Sequence, residues 1–341
     1  MESALITTPP SRSARSSASA DLPLAVGPAI RTARRSAENP RFSMPLAAPN
    51  DFVATFIARP ENAEALRQAV EASLAALEGA RGDWLSEGEA FDIVFPEAAH
   101  AGFRPEAAIG DKPVDVVVQR ASERRKRLIV ADMDSTMIGQ ECIDELADMA
   151  GLKTHVAAIT ERAMRGEIAF EPALRERVGL LKGLPVGVID EVLAERIRLT
   201  PGGPELIRTM RANGAYTALV SGGFTLFTGP VAERIGFHEN RANILEVEGG
   251  VLAGTVTEPI LGKEAKLTAL MELARRFSLS RHETLAIGDG ANDLAMIHAA
   301  GLGVAYHAKP KVAAEADARI DHNDLTALLF AQGYRRSEFV A

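Results

Sequence analysis

Residues 128–136 read Leu-Ile-Val-Ala-Asp-Met-Asp-Ser-Thr, an apolar run that ends in two carboxylates two positions apart. The run predicts a buried strand whose last residues reach the carboxyl edge of a sheet, where open α/β sheets bind ligands. If the chain turns after Asp132, the Asp132 and Asp134 carboxylates can flank one reacting atom, one as nucleophile and the other as proton donor and acceptor. Two carboxylates this close favour a cation between them, and oxygen ligands suit Mg²⁺. A solvated turn is the alternative for an Asp-x-Asp taken alone.

The composition is typical of a globular protein, and 341 residues suffice for two or three domains. A formal net charge of -8 argues against a nucleic-acid partner. No apolar run approaches the roughly 18 residues that a membrane span needs. The single cysteine, Cys142, excludes an intrachain disulfide, and the scattered histidines form no zinc motif. We therefore expect a cytoplasmic protein.

Three segments are predicted along the chain. Residues 1–45 are rich in Ser, Arg, Ala and Pro, and we expect a disordered extension; an organellar transit peptide and a true start at Met44 are alternatives. Residues 46–122 are predicted to form a small α+β domain. Its strands are expected at 52–58, 90–95 and 114–118, and its helix at 63–77. Residues 123–341 alternate strands and helices, which predicts an α/β core with a parallel sheet covered on both faces.

The core elements are expected at definite positions. The predicted strands are 128–132, 216–220, 284–288 and 302–306, the helices 204–213, 225–235, 264–277, 292–300 and 324–331, and the hairpin 245–258. Residues 140–200 read as helical throughout, with helices at 141–150, 153–165, 171–181 and 186–196. An insertion of this kind after the first strand predicts a helical cap that excludes water from the sheet edge.

Two further features indicate a phosphate site. The apolar residues 218–220 are followed by Ser221, Gly222 and Gly223. Glycine lets the backbone approach an anion closely, and N–H groups with a hydroxyl can cradle phosphate, although a tight turn explains the glycines equally well. Lys266, near the start of a predicted helix, adds positive charge, with Lys263 as the competing choice.

A third strand end carries acids. Residues 288–293 read Gly-Asp-Gly-Ala-Asn-Asp after an apolar run. Asp289 is placed to complete an oxygen-ligand site with Asp132 and Asp134, and Asp293 to orient the ligands from behind. A helix N-cap at Asn292 is the alternative interpretation. Acid pair, hydroxyl, lysine and acid together indicate phosphoryl transfer through an aspartyl-phosphate.

At these residues the chain resembles the haloacid dehalogenase (HAD) superfamily of phosphohydrolases and, within it, the phosphoserine phosphatases. The matching stretches are 132–136, Glu141, 164–166 with Phe170, 174–178, 220–224, 288–293 and 305–310. The resemblance covers about residues 128–330 and implies a Rossmann-like HAD core with a cap. Related phosphatases can carry an ACT-like domain before this core. Residues 46–122 show no distinctive ACT signature, so that assignment stays open.

The resemblance also implies the role of each site residue. Asp132 attacks phosphorus, and Asp134 protonates the leaving oxygen and then activates water. Mg²⁺ is bound by Asp132, the backbone carbonyl of Asp134, and Asp289. The residues implied to bind substrate or phosphate are Glu141 (ammonium), Arg177 (carboxylate), Ser221, Gly222, Lys266 and Asn292, with Met164 and Phe170 as apolar walls. Without the resemblance, Glu141 and Arg177 would be interpreted as solvated charges, and Met164 and Phe170 would be interpreted as part of the hydrophobic core of the cap.

The implied function is Mg²⁺-dependent hydrolysis of O-phospho-L-serine, which completes L-serine biosynthesis. One rival is the same chemistry on another small phosphate ester, or transfer to another alcohol. Glu141 with Arg177 argues against it, because a sugar phosphate has no zwitterionic head. A second rival, an inactive binding or regulatory protein on this fold, conflicts with the intact acid set. A homodimer is left open.

Overall fold

The computed structural model describes residues 48, 50–165 and 167–341, so the extension predicted for residues 1–45 lies outside the described residues. The described strands form a four-stranded antiparallel sheet, a six-stranded parallel sheet and a two-stranded hairpin. None of the described helices combines the length and the apolar character that crossing a bilayer requires.

The antiparallel sheet comes first along the chain. Its strands are β1 (Phe52–Ile57), β2 (Arg81–Ser86), β3 (Ala90–Phe95) and β4 (Asp115–Arg120), and its helices are α1 (Ala63–Ala76), α2 (Glu97–His100) and α3 (Pro105–Ile109). The strand order is β2-β3-β1-β4, the arrangement of a split βαβ motif. The sequence does not predict β2, because most of its residues are polar and it lies at the sheet edge. The ACT-like assignment and the boundary at residue 122 stay predictions.

Four helices occupy the predicted cap. They are α4 (Cys142–Met149), α5 (Lys153–Met164), α6 (Phe170–Leu180) and α7 (Gly187–Glu195). A bridge between Ile138 and Leu199 closes the base of the cap, where the chain leaves and re-enters the core. A second bridge, between Pro185 and Val251, joins the cap to a hairpin further along the chain.

The parallel sheet forms the core. Its strands are β5 (Leu128–Ala131), β6 (Tyr216–Phe224), β7 (Glu239–Asn243), β10 (Thr284–Gly288), β11 (Leu302–Tyr306) and β12 (Ala318–Ile320), and the hairpin strands are β8 (Leu245–Glu248) and β9 (Val251–Val256). The order is β12-β11-β10-β5-β6-β7, so β5 lies between β6 and β10. Strands β5 and β10 are buried throughout, which explains their apolar sequences. Their carboxyl ends meet at one edge, as predicted.

Helices cover the core sheet. They are α8 (Gly203–Ala212), α9 (Thr225–Ile235), α10 (Glu264–Arg276), α11 (Leu294–Ala299), α12 (Pro310–Glu315) and α13 (Ala327–Ala331). Helices α11 and α13 begin two and three residues later than predicted, because Asp293 and Thr326 take the N-cap positions. The sequence does not predict β7, β12 or α12, since β7 is largely polar and the other two are short.

Candidate active site

Asp132 stands where β5 ends and the chain turns. The residue is 5% exposed, and its Oδ1 accepts a hydrogen bond from the Met133 N–H at 2.7 Å. The turn over residues 133–137 contains Ser135 at φ +55°, a left-handed conformation that redirects the chain at once. This sharp turn separates the Asp132 and Asp134 side chains, so the two carboxylates do not follow the simple alternation of a continued strand.

Lys266 on α10 is buried and pairs with two acids. Its Nζ lies 2.7 Å from Asp132 Oδ1 and 2.5 Å from Asp293 Oδ1, and the lysine is 2% exposed. Burial alone would lower the pKa of this ammonium, but the two carboxylates outweigh it and raise the pKa. Lys263 has a side chain that is 73% exposed. The geometry therefore favours Lys266 over Lys263 as the lysine of the site.

Three carboxylates gather at the sheet edge and are called here the carboxylate cluster. They belong to Asp132, Asp289 and Asp293, and one oxygen from each lies within 4.8 Å of the others. Burial, then the charge of Asp293, raises the pKa of Asp289 to about 6, and the same causes raise the pKa of Asp132. Lys266 pairs with Asp132 and Asp293, while the charges of Lys309 and Lys266 only partly offset the rise in the pKa of Asp289. An oxygen-only donor set with excess negative charge fits a metal cation.

Asp134 lies outside the carboxylate cluster but beside it. Its Oδ1 accepts a hydrogen bond from the Cys142 N–H, the first residue of α4, at 3.2 Å. Burial, then the charge of Glu141, raises the pKa of Asp134 to about 7. A carboxyl with this pKa exchanges a proton readily near neutral pH, which suits general acid–base chemistry.

The Ser221–Gly223 segment, which the sequence places after the strand predicted at 216–220, belongs to that strand. Strand β6 continues through it to Phe224, because Asn243 on β7 donates from Nδ2 to the Gly222 carbonyl at 2.9 Å. Ser221 Oγ accepts from the Gly223 N–H at 2.8 Å. A Cβ added to Gly223 would lie 3.2 Å from Asp134 Oδ2, so this glycine lets the strand approach the acid closely.

The cap contributes opposite charges. Glu141 Oε1 accepts from the Ser135 hydroxyl at 2.8 Å. Arg177 Nε donates to the Ala173 carbonyl at 3.3 Å, and burial lowers the pKa of its guanidinium despite the nearby acids Asp144 and Glu141. No carboxylate of the described residues forms an ion pair with Arg177. Its guanidinium can therefore pair with a carboxylate of a ligand.

One cavity of about 190 Å³ joins these groups. The predicted residues that line it are Asp132, Asp134, Glu141, Phe170, Arg177, Ser221, Gly222, Asp289 and Asn292. Phe170 is 39% exposed and lies over Gly222, where an added Cβ would be 3.3 Å from the ring. Lys266 and Asp293 lie behind the wall, and the side chain of Met164 is outside the described residues.

Known proteins with similar sequences identify the family. The profile of haloacid dehalogenase-like hydrolases matches residues 129–298. The phosphoserine phosphatase of Polaromonas sp. (strain JS666) is 46% identical over 208 residues, which are 60% of this chain and 88% of the relative. The chain belongs to the phosphoserine phosphatase family.

Other members of the phosphoserine phosphatase family differ in how much of them is matched. The phosphoserine phosphatase of Archaeoglobus fulgidus is 46% identical over 217 residues, 63% of this chain and 63% of the relative. The chain therefore spans less than two thirds of that relative's length. A crystal structure of a probable phosphoserine phosphatase from Vibrio cholerae matches with a TM-score of 0.69 and 34% identity, covering 87% of this chain and 91% of that one.

Sequence reasoning missed part of the cavity wall of this family member. Ile143, Leu174 and Lys309 also line it. Residues 174 and 309 fall inside stretches that resemble the phosphoserine phosphatases, so the signal was present, but neither residue type stands out locally. The metal-binding prediction included Asp134 through its backbone carbonyl. The carboxylate cluster consists of side chains and includes Asp293, which the sequence placed behind the ligands, while the Asp134 carbonyl ligand stays a prediction.

Proposed function

We propose that this chain hydrolyses O-phospho-L-serine to L-serine and inorganic phosphate, the last step of L-serine biosynthesis. One observation carries the proposal: Glu141 and Arg177 line the same cavity as Asp132 and Asp134. An amino-acid ester needs one fixed charge of each sign for its ammonium and its carboxylate, and Arg can grip a carboxylate with two hydrogen bonds. A sugar phosphate would leave both charges unmatched.

Asp132 acts as the nucleophile. Both contacts found for its carboxylate among the described residues, from Met133 N–H and Lys266, fall on Oδ1. Oδ2 therefore attacks phosphorus, and a bond from Oδ2 to phosphorus forms as the bond from phosphorus to the serine oxygen breaks. Lys266 holds the carboxylate in place and adds positive charge beside the phosphoryl group.

Asp134 moves the proton in both halves of the reaction. In its protonated form it gives the proton to the departing serine oxygen, so that serine leaves as a neutral alcohol. The resulting carboxylate then takes a proton from water while the water oxygen attacks phosphorus. The bond between phosphorus and Asp132 Oδ2 breaks, phosphate leaves, and both aspartates return to their starting states. A pKa of about 7 for Asp134 supports this double use.

The remaining site residues bind the substrate or the metal ion. Ser221, Gly222 and Asn292 hold phosphoryl oxygens, and Phe170 closes the cavity with an apolar wall. Met164, whose side chain is outside the described residues, stays a second apolar wall by resemblance only. Mg²⁺ would be held by Asp132, Asp289 and the backbone carbonyl of Asp134, and when bound it supplies charge that offsets the phosphoryl oxygens. The proposal also includes a cytoplasmic location and a domain boundary at residues 122–123.

The test is phosphate release from O-phospho-L-serine with MgCl₂, compared with phosphothreonine and a sugar phosphate. We expect strong preference for phosphoserine and loss of turnover in Asp132→Asn. Turnover of another ester, still lost in Asp132→Asn, would keep the aspartyl-phosphate mechanism and reject the substrate. No turnover of any ester, with inorganic phosphate still bound, would favour a binding protein.

A further inference from the structure

Lys309 lines the catalytic cavity without a role in the mechanism above. Its backbone N–H donates to the Asp289 carbonyl at 3.3 Å, which fixes the loop beside the carboxylate cluster. No carboxylate of the described residues lies within ion-pair distance of its ammonium, although acids surround the cavity. Its charge acts on Asp289 and partly offsets the rise in that pKa, but the two form no ion pair, so the exposed ammonium is available to an anionic group of the substrate.

His307 holds the loop that carries Lys309. Its φ of +43° lies in the left-handed region, which is unfavourable for a residue other than glycine and persists only where the surroundings impose it. Its N–H donates to the Ile320 carbonyl at 2.9 Å, and its ring Nε2 lies 3.1 Å from the Asn323 carbonyl. A carbonyl only accepts, so Nε2 carries the proton in this contact. The conformation of the loop thus depends on residues 320–323.

Asp115 on β4 of the antiparallel sheet holds that neighbouring turn. The residue is 4% exposed, and its carboxylate accepts from the backbone N–H groups of Asp321 at 2.9 Å, His322 at 3.2 Å and Asn323 at 3.1 Å. It also accepts from Asn323 Nδ2 at 2.8 Å. One buried carboxylate therefore satisfies three consecutive N–H groups and a side-chain amide, which ties the turn to the antiparallel sheet.

We propose that Lys309 binds an anionic group of the substrate and that Asp115 is a positioning residue for it. The connection runs from Asp115 through the 321–323 turn to His307 and then to Lys309. Every step is a hydrogen bond or a run of at most three residues. The antiparallel sheet thereby shapes the cavity without contributing a residue to it. This inference rests on phosphate-ester hydrolysis at the proposed site.

The first measurement tests Lys309 itself. Lys309→Met should raise KM for O-phospho-L-serine by about tenfold and change kcat by less than about twofold, because a binding charge is lost and the reacting groups stay. Lys309→Arg should stay close to wild type. Lys311→Met is the matched control, since Lys311 is an exposed lysine that does not line the cavity. An unchanged KM in Lys309→Met would overturn the proposal.

A double-mutant cycle tests the connection. Asp115→Asn should raise KM by about threefold in the wild-type background and have no further effect in Lys309→Met, since residues that act through one another are not additive. A merely structural role would lower stability and leave the same KM effect in both backgrounds. That result would reject the positioning role. If Asp115→Asn does not fold, His307→Leu replaces it in the cycle, because His307 is exposed.

Asp83→Asn is the control variant, because it weakens a different contact between the antiparallel sheet and the rest of the chain. Asp83 on β2 pairs with Arg335, which also donates to the Trp84 carbonyl, so this contact joins the same parts of the chain away from the 321–323 turn. Its KM should equal that of wild type. A KM raised as much as in Asp115→Asn would reject a specific path. If phosphoserine is not the substrate, the same cycle is run on whichever ester the wild type hydrolyses, so failure of the two proposals stays distinguishable.

Discussion

The carboxylate cluster (Asp132, Asp289, Asp293) and a second group beside α13, the Arg124 cluster (Thr55, Asp92, Arg124), both bury ionisable side chains. In the Arg124 cluster one cation meets one anion. Arg124 contacts both Asp92 oxygens, at 2.6 and 3.0 Å, and Thr55 donates to Asp92 at 2.7 Å. Arg124 also donates to the carbonyls of Phe330 and Ala331. In the Arg124 cluster the positive charge is therefore balanced by one negative charge, and both charged groups are hydrogen-bonded.

The carboxylate cluster is not matched in this way. Lys266 satisfies one oxygen each of Asp132 and Asp293, and Asp289 is left with a raised pKa. Buried like charges destabilise a fold unless a partner offsets them. The balanced charges of the Arg124 cluster need no further partner, whereas the excess negative charge of the carboxylate cluster could hold a metal ion.

Removal of the buried cation, Lys266, should have the largest effect. Lys266→Met leaves Asp132 and Asp293 without a positive neighbour, and we expect kcat to fall by about 10²–10³-fold, as for loss of one electrostatic group in a site. Phosphate release at saturating substrate measures it. Lys263→Met is the control and should keep wild-type activity, since Lys263 is exposed. Equal loss in both variants would contradict the assignment of Lys266.

Removal of an anion from the balanced cluster should act on stability instead. Asp92→Ala leaves Arg124 buried and unpaired, so we expect the free energy of unfolding to fall by about 3–5 kcal/mol in urea titrations. Activity per folded molecule should persist. Glu87→Gln, which breaks the exposed pair with Arg67, should change stability by less than about 0.5 kcal/mol. A neutral Asp92→Ala would show that the Arg124 cluster does not support the fold.

Lys126 is a third buried charge, and it lacks a carboxylate within hydrogen-bond distance among the described residues. Its Nζ donates to the carbonyls of Glu123 and His282, and burial lowers its pKa to about 8. Between pH 8 and about 10.4, Lys126 holds more protons in the unfolded chain than in the folded chain. The free energy of unfolding therefore increases as pH rises through this range. The gain should be about 3 kcal/mol.

The measurement is the difference between wild type and Lys126→Met in urea unfolding at pH 7.5, 9 and 10.5. Other lysines and tyrosines titrate in both proteins and cancel in that difference. The wild type should gain stability relative to the variant as pH rises. A flat difference would mean that Lys126 is charged at no cost in the fold.

The smallest expected effect concerns the cation. Asp289→Asn removes one of three crowded acids, so stability without divalent metal should stay the same or rise slightly. Wild type should gain about 1.4 kcal/mol when MgCl₂ reaches ten times its Kd, and Asp289→Asn should lose this gain. Thermal unfolding with MgCl₂ or with EDTA gives both values. A wild type that is indifferent to MgCl₂ would contradict a metal role for the carboxylate cluster.

The sequence by itself predicted the main strands and the cap, because periodicity and apolar runs are local signals. It also predicted that acids, a hydroxyl and glycines stand at three strand ends that share one edge. The sequence did not predict short or polar edge strands such as β2, β7 and β12, because these segments become strands by pairing with a neighbouring strand and not through an apolar composition. The extension of β6 through Ser221 likewise depends on Asn243, a residue of the neighbouring strand.

Which distant residues meet could be read only from the folded structure. Lys266 rather than Lys263 reaches the acids because α10 turns one lysine inward and leaves the other in solvent. Asp115 reaches a turn some two hundred positions further along the chain. Neither contact has a local signature, because a charged residue reads the same in sequence whether solvent or another charge surrounds it. Residue type fixed the available chemistry, and packing selected the residues that share it.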